Sequence, residues 1–180
     1  MPAPRLTNEN TAAPWRTCLH EAGHAVAGWR LLHRTTRAAV FGNGSGVADL
    51  GGEGGVPVCF KDAAATAAGK AAESLADLYP PPLVAMAEPL EKTYPEEAGR
   101  LMAGVASLMP DEVAIARWCI EGREDQPNLW AKRHDWVRAS ASEFVLEYQH
   151  EIVETAAGLY ARGVITLPAE PAQEGTVHVD

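Results

Sequence analysis

Two histidines and a glutamate near the start of the chain have the types and the spacing of a metal site. His20, Glu21 and His24 lie in the sequence HEAGH. In an α-helix, side chains four residues apart project from the same face, so the two imidazoles can bind one ion. Glu21 adjoins this pair and is placed to take a proton from a water molecule on the ion. The pattern predicts a hydrolytic site that uses Zn²⁺ as its cofactor.

The composition makes a chance occurrence of this pattern uncommon. The chain has 180 residues, of which 6 are His and 24 are Asp or Glu. At these frequencies, roughly 0.03 accidental matches to a His-acid-x-x-His pattern are expected. The alternative interpretation is an α-rich domain in which both histidines hydrogen-bond to backbone carbonyls. That alternative predicts a protein that holds no metal after purification without chelators.

The metal motif needs a helix, and the flanking sequence predicts one from Pro14 through about Arg34, since proline suits a first helical turn. Glycine-rich turns between two β-prone runs predict a small sheet or hairpin within residues 37–60. Further helices are expected at 62–79, 95–108 and 112–121, and residues 128–162 predict two helices or one bent helix that Gly163 ends. The fold class predicted is mainly α with a small β-sheet, an α+β fold.

Charge and composition exclude some classes of partner and indicate where the folded domain begins and ends. A net charge of −9 provides no basic surface for nucleic acid or an anionic membrane, so neither is an expected partner. No stretch has the length and apolarity of a spanning helix, and three widely spaced cysteines suit reduced thiols in the cytoplasm. We expect one domain over residues 14–167, with a disordered N-terminus at 1–13 and a disordered tail at 168–180.

Three segments resemble the peptidase domain of the FtsH family of zinc metallopeptidases. HEAGHA at residues 20–25 resembles the motif that begins that family's active-site helix, and AGKAAE at 68–73 is similar to its GGRAAEE helix. The segment 151–167 resembles its closing helix. The likeness spans Arg16 to Leu167 and implies a zincin-like helical bundle that hydrolyses a peptide or protein substrate. Without a Walker motif or spanning segment, it implies a stand-alone domain, with a homo-oligomer or a separate ATPase as an expected partner.

The resemblance also implies a third metal ligand, an aspartate at a helix start, for which the sequence offers Asp111 and Glu112. Residue type favours Asp111. Register slightly favours Glu112, because Val113 and Ala116 then follow it as in the family, with Asp111 as the N-cap. Both stay open, beside the alternative that the two acids only stabilise a helix N-terminus.

Two further residues have predicted roles around this site. Glu73 is a candidate to accept a hydrogen bond from the second nitrogen of a ligand histidine, with an exposed helical carboxylate as the alternative. Gly23, inside the first helix, predicts a tightly packed neighbour, because glycine there costs about 1 kcal/mol relative to alanine.

The function predicted is a zinc metallopeptidase, an endopeptidase, with His20, His24 and either Glu112 or Asp111 as ligands and Glu21 as the general base. The β region is expected to offer an edge strand to an extended substrate. The alternative is a metal-binding regulatory or partner-binding protein on a catalytically idle peptidase scaffold. Two imidazoles and one carboxylate would also suit iron.

Overall fold

A computed structural model describes residues 9–50, 56–88, 90–106 and 109–168, without the side chains of 9–13 and 104–106. Within these ranges the chain is mainly helical with one small sheet, as the sequence predicts. The helices are α1 (Glu9–Leu32), α2 (Phe60–Ala72), α3 (Leu90–Thr93), α4 (Pro95–Ala106), α5 (Asp111–Ile120), α6 (Pro127–Glu147) and α7 (Gln149–Arg162), and a 3-10 turn (Glu73–Asp77) follows α2.

The sheet has three antiparallel strands, β1 (Thr36–Val40), β2 (Gly46–Asp49) and β3 (Val164–Leu167). Their order is β2-β1-β3, so β1 is central and β2 lies at one edge. Gly163, with φ of 77°, ends α7, and its carbonyl accepts a hydrogen bond from the Val40 backbone N–H at 2.9 Å. This left-handed position, which glycine adopts at little cost, turns the chain from α7 into β3.

Helix α1 is the centre of the main core. Its side chains Leu19, Ala22 and Ala25 have no exposed surface, and α1 packs against α2, α7 and β1. Small residues predominate where α1 meets α2, which brings the two backbones close together. A second buried cluster joins α2, α5 and α6 and fixes α5 beside α2; it comprises Ala63, Ala67, Ile115, Cys119, Val137 and Ala141.

Three expectations about the elements need correction. The first helix starts by Glu9, and Pro14 lies inside it, so residues 9–13 are helical and not a disordered terminus. The run at 56–60 is not a strand, because Val58 is exposed and Cys59 is the N-cap of α2. The second strand is Gly46–Asp49, and the segment that resembles a closing helix ends in strand β3.

Other boundaries agree with the sequence interpretation or lie outside the described residues. Two helices, α6 and α7, occupy 127–162 and end at Gly163, as expected. Residues 1–8 and 169–180, expected to be disordered, are outside the described residues. None of the helices described is both long and apolar enough to cross a membrane.

Candidate metal centre

The two motif histidines lie on one face of α1 and point their Nε2 atoms at each other. The Nε2 atoms of His20 and His24 are 3.1 Å apart, and the ring planes meet edge to face at 78°. His24 is buried, whereas the His20 side chain is 25% exposed. The helix therefore presents two convergent imidazole nitrogens, one deep and one near the surface.

The N-terminus of α5 brings a carboxylate to the same point. Asp111 Oδ2 lies 3.0 Å from His24 Nε2 and 3.3 Å from His20 Nε2, across 87 residues of sequence from His24. Glu112 faces elsewhere: its carboxylate is 57% exposed and 3.6 Å from His134 Nε2. The slight preference for Glu112 from register is thus corrected in favour of Asp111. The N-cap of α5 is Pro110, and Asp111 is the first helical residue.

The second nitrogen of each histidine has its own acceptor. His20 Nδ1 donates to Glu73 Oε1 at 2.9 Å, and His24 Nδ1 donates to the Ala65 carbonyl at 3.0 Å. A carbonyl oxygen can only accept, so His24 carries a proton on Nδ1. These bonds fix the ring orientations and direct both Nε2 atoms toward the shared point, as is usual for metal-binding histidines.

The donor set and spacing fit a zinc ion. Two imidazole nitrogens and a carboxylate oxygen match the three-ligand composition of catalytic zinc sites. Ligands about 2.0 to 2.1 Å from a tetrahedral ion lie roughly 3.3 Å from one another. The three distances among His20, His24 and Asp111 are 3.0 to 3.3 Å, close to that separation.

Electrostatics show that this point favours positive charge. Burial alone would lower the pKa of His24, but its hydrogen bond to Asp111 and the Asp111 charge raise that pKa to about 9. Burial of the Asp111 carboxyl would raise its pKa, yet hydrogen bonds from both histidines hold the pKa well below its usual range. A divalent cation at this point would compete with a proton on His24 Nε2 for the Asp111 carboxylate.

Glu21 occupies a separate, buried position on α1. Burial raises the pKa of its carboxyl, and the nearby His24 and His20 partly offset that rise. Among the described residues none donates a hydrogen bond to this carboxylate, so its oxygens stay available as proton acceptors. A Cβ on Gly46 would lie 2.5 Å from Glu21 Cγ and 2.6 Å from Oε1. Glycine at the start of β2 therefore makes room for Glu21 beside the edge strand.

Glycines also let α1 and α2 approach each other at the candidate metal site. A Cβ on Gly23 would lie 2.7 Å from both the Ala68 carbonyl oxygen and the Ala72 Cβ, which confirms the close neighbour predicted there. A Cβ on Gly69 would overlap the His24 imidazole. The space for the His24 ring thus depends on a missing side chain on the facing helix.

The structure brings together His20, His24, Asp111 and Glu73 and places Glu21 next to them, but it leaves Glu112 out. Sequence reasoning missed the Ala65 carbonyl, Gly69 and Gly46. A backbone carbonyl has no residue-type signal, whereas Gly69 lies within the AGKAAE segment and was open to the same argument as Gly23.

We compared the chain with family models, curated proteins and solved structures. No family model, no curated protein and no solved structure matches this chain.

Proposed function

We propose that this chain is a zinc-dependent peptidase with a zincin-like, FtsH-type active site. The observation that carries the proposal is the convergence of His20 Nε2, His24 Nε2 and Asp111 Oδ2, with Glu21 buried on the same helix as the histidines. A bound zinc ion would supply Lewis-acid chemistry, activating water and polarising the scissile carbonyl.

The protein groups have distinct tasks in this proposal. Glu21 accepts a proton from the attacking water at its carboxylate and passes it to the amine of the leaving peptide. Its burial raises the pKa of the carboxyl, which favours uptake of a proton there. Glu73 and the Ala65 carbonyl keep the two imidazoles oriented throughout.

Strand β2 provides the surface for an extended substrate. It is an edge strand, and its first residue, Gly46, abuts Glu21. A peptide that pairs with β2 through main-chain hydrogen bonds would run past the catalytic carboxylate, and recognition would depend little on its side chains. The nearness of Gly46 to Glu21 supports this placement of the substrate beside the helix that carries the histidines.

Cellular context and assembly belong to the same proposal. Cys18, Cys59 and Cys119 are free thiols, which suits a reducing compartment, and we place the protein in the cytoplasm. From the resemblance to FtsH peptidases, we expect the protein to act as a homo-oligomer or with a separate ATPase that delivers the substrate.

The test is a Glu21→Gln variant assayed on casein and on mixed quenched-fluorescent peptides, with zinc content measured in the same preparations. We expect the wild type to cleave, and Glu21→Gln to keep its zinc while losing turnover. Glu143→Gln, the same change at an exposed position on α6, is the matched control and should cleave like the wild type. Zinc-bound wild type without cleavage would contradict the proposal and favour the metal-binding partner protein.

A further inference from the structure

A concave surface lies at the C-terminal end of α5, whereas Asp111 lies at the N-terminal end of that helix. The surface encloses about 250 Å³, and we call it the aromatic groove. Trp118 follows Asp111 by seven residues, which is about 10 Å along a helix axis. The residues that line the groove are Phe60, Trp118, Arg123, Leu129, Arg133 and Trp136.

Aromatic rings that are open to solvent form the walls of the groove. Trp136 is 60% exposed and Phe60 is 40% exposed, although large aromatic side chains are among those that gain most from burial. The Phe60 and Trp118 ring centroids are 6.1 Å apart. Trp and Arg are the residue types enriched at the energetic centres of protein interfaces, and both occur here.

Two arginines that line the groove donate hydrogen bonds to backbone carbonyls. Arg133 stacks its guanidinium over Trp118 at 3.8 Å and donates from Nη1 to the Cys119 carbonyl at 3.3 Å. Arg123 donates from Nη1 to the Glu121 carbonyl at 3.3 Å. Neither guanidinium forms an ion pair within the described ranges. Since a guanidinium has five N–H donors, each arginine keeps several for a ligand.

The loop between α5 and α6 holds Arg123 in place. The Trp130 indole N–H donates to the Arg123 carbonyl, and the Gln126 backbone N–H donates to the same oxygen at 2.9 Å. Gly122 adopts a left-handed φ of 69° in this loop. These bonds fix the backbone at Arg123, so the entropy cost of ordering that part of the groove is met before a ligand binds.

We propose that the aromatic groove binds a protein segment that combines apolar and acidic side chains. Apolar side chains would pack against Phe60, Trp118 and Trp136, and carboxylates would bind Arg123 and Arg133 in the bidentate manner that guanidinium favours. The same loop carries the exposed acids Glu121, Glu124 and Asp125, so selectivity for an acidic ligand depends on the two guanidiniums that line the groove. This binding uses neither the metal nor Glu21.

The test is isothermal titration of the full-length Glu21→Gln protein, which cannot cleave the probe, with three capped ten-residue peptides. They consist of Asp-Leu, Lys-Leu or Asp-Ser repeats. We expect saturable binding of the Asp-Leu peptide and at least about tenfold weaker binding of the other two. Tryptophan fluorescence should change with the Asp-Leu peptide, because Trp118 and Trp136 line the groove.

Two independent variants locate the binding site. Arg123→Gln and Trp136→Ala should each weaken binding of the Asp-Leu peptide by about tenfold, with unchanged zinc content and melting temperature. Arg138→Gln, on the exposed surface of α6 and outside the groove, is the control and should bind like the parent protein.

Four results would overturn the proposal. They are absence of binding, equal binding of the Lys-Leu peptide, parent-like binding by both groove variants, and displacement of the Asp-Leu peptide by an equal concentration of inorganic phosphate. The last result would assign the arginines to a small anion. None of them would affect the proposed peptidase, whose zinc content and turnover are measured without this groove.

Discussion

The two sides of the candidate metal centre are built differently. On one side, α1 and α2 hold the histidines through close backbone packing, and the His24 side chain is only 8% exposed. On the other side, Asp111 reaches the cluster from the first residue of α5, and its side chain is 35% exposed. The histidine side is thus held by helix packing around a buried His24 and a partly exposed His20, and the aspartate side depends on where a separate helix begins.

The two sides are therefore specified by different features of the sequence. Four-residue spacing and small residues specify the histidine side locally. The aspartate side depends on the second buried cluster, in which Ile115 and Cys119 of α5 pack against α2 and α6. A change on either side should therefore act on metal binding by a different route, and three variants separate those routes.

The largest effect is expected from Asp111→Ala, which removes a ligand atom. Zinc affinity should fall by more than about 100-fold, the upper end of the range for outer partners of metal ligands. Glu112→Ala, one residue further along α5, should bind zinc like the wild type. Competition against a chromophoric chelator measures both affinities. Equal losses in the two variants would mean that the negative charge of the helix start matters and the position of Asp111 does not.

The next effect is expected from Gly69→Ala, which tests the packing of the histidine side. The new Cβ would overlap the His24 imidazole and displace its Nε2, so zinc binding should weaken while the chain still folds. Gly99→Ala is the matched control, since a Cβ there meets nothing within 4 Å. That control should keep its zinc and gain about 0.4 to 1 kcal/mol of stability. Calorimetry and zinc titration check both variants; a Gly69→Ala protein with wild-type affinity would contradict the packing argument.

The smallest effect is expected from Glu73→Ala, which leaves all three ligands in place. His20 would lose the acceptor of its Nδ1 proton, and zinc affinity should fall about 10- to 100-fold. Lys70→Met removes the ammonium that donates to the other Glu73 oxygen at 2.7 Å, and it should cost less than Glu73→Ala. The same chelator competition ranks the two variants. A larger loss from Lys70→Met would mean that Glu73 does not act through His20.

The sequence was informative where the structure depends on local pattern. The spacing of His20 and His24 predicted their convergence, and Gly23 predicted a close neighbour that proved to be α2. Gly163 predicted the end of α7, because a left-handed residue there satisfies the last turn. These features need only a helix and its immediate partner.

The sequence was less informative where contacts between distant segments determine the structure. The choice of Asp111 over Glu112 depends on one residue of register in α5, which the packing of Ile115 fixes against α2. Strand β3 pairs with β1 across more than a hundred residues. Its sequence VITL is rich in β-branched residues that favour strands, but the resemblance to a closing helix assigned this segment to a helix. Pro14 was assigned to a helix start by its usual preference, but the helix already includes Glu9.

The central claim is that His20, His24 and Asp111 form one zinc centre. The most direct measurement is metal content by elemental mass spectrometry, on untagged wild type and His24→Ala protein purified without chelators. The account predicts about one zinc ion per wild-type chain and none in His24→Ala. A wild-type protein without metal, or a His24→Ala protein that retains it, would contradict the claim.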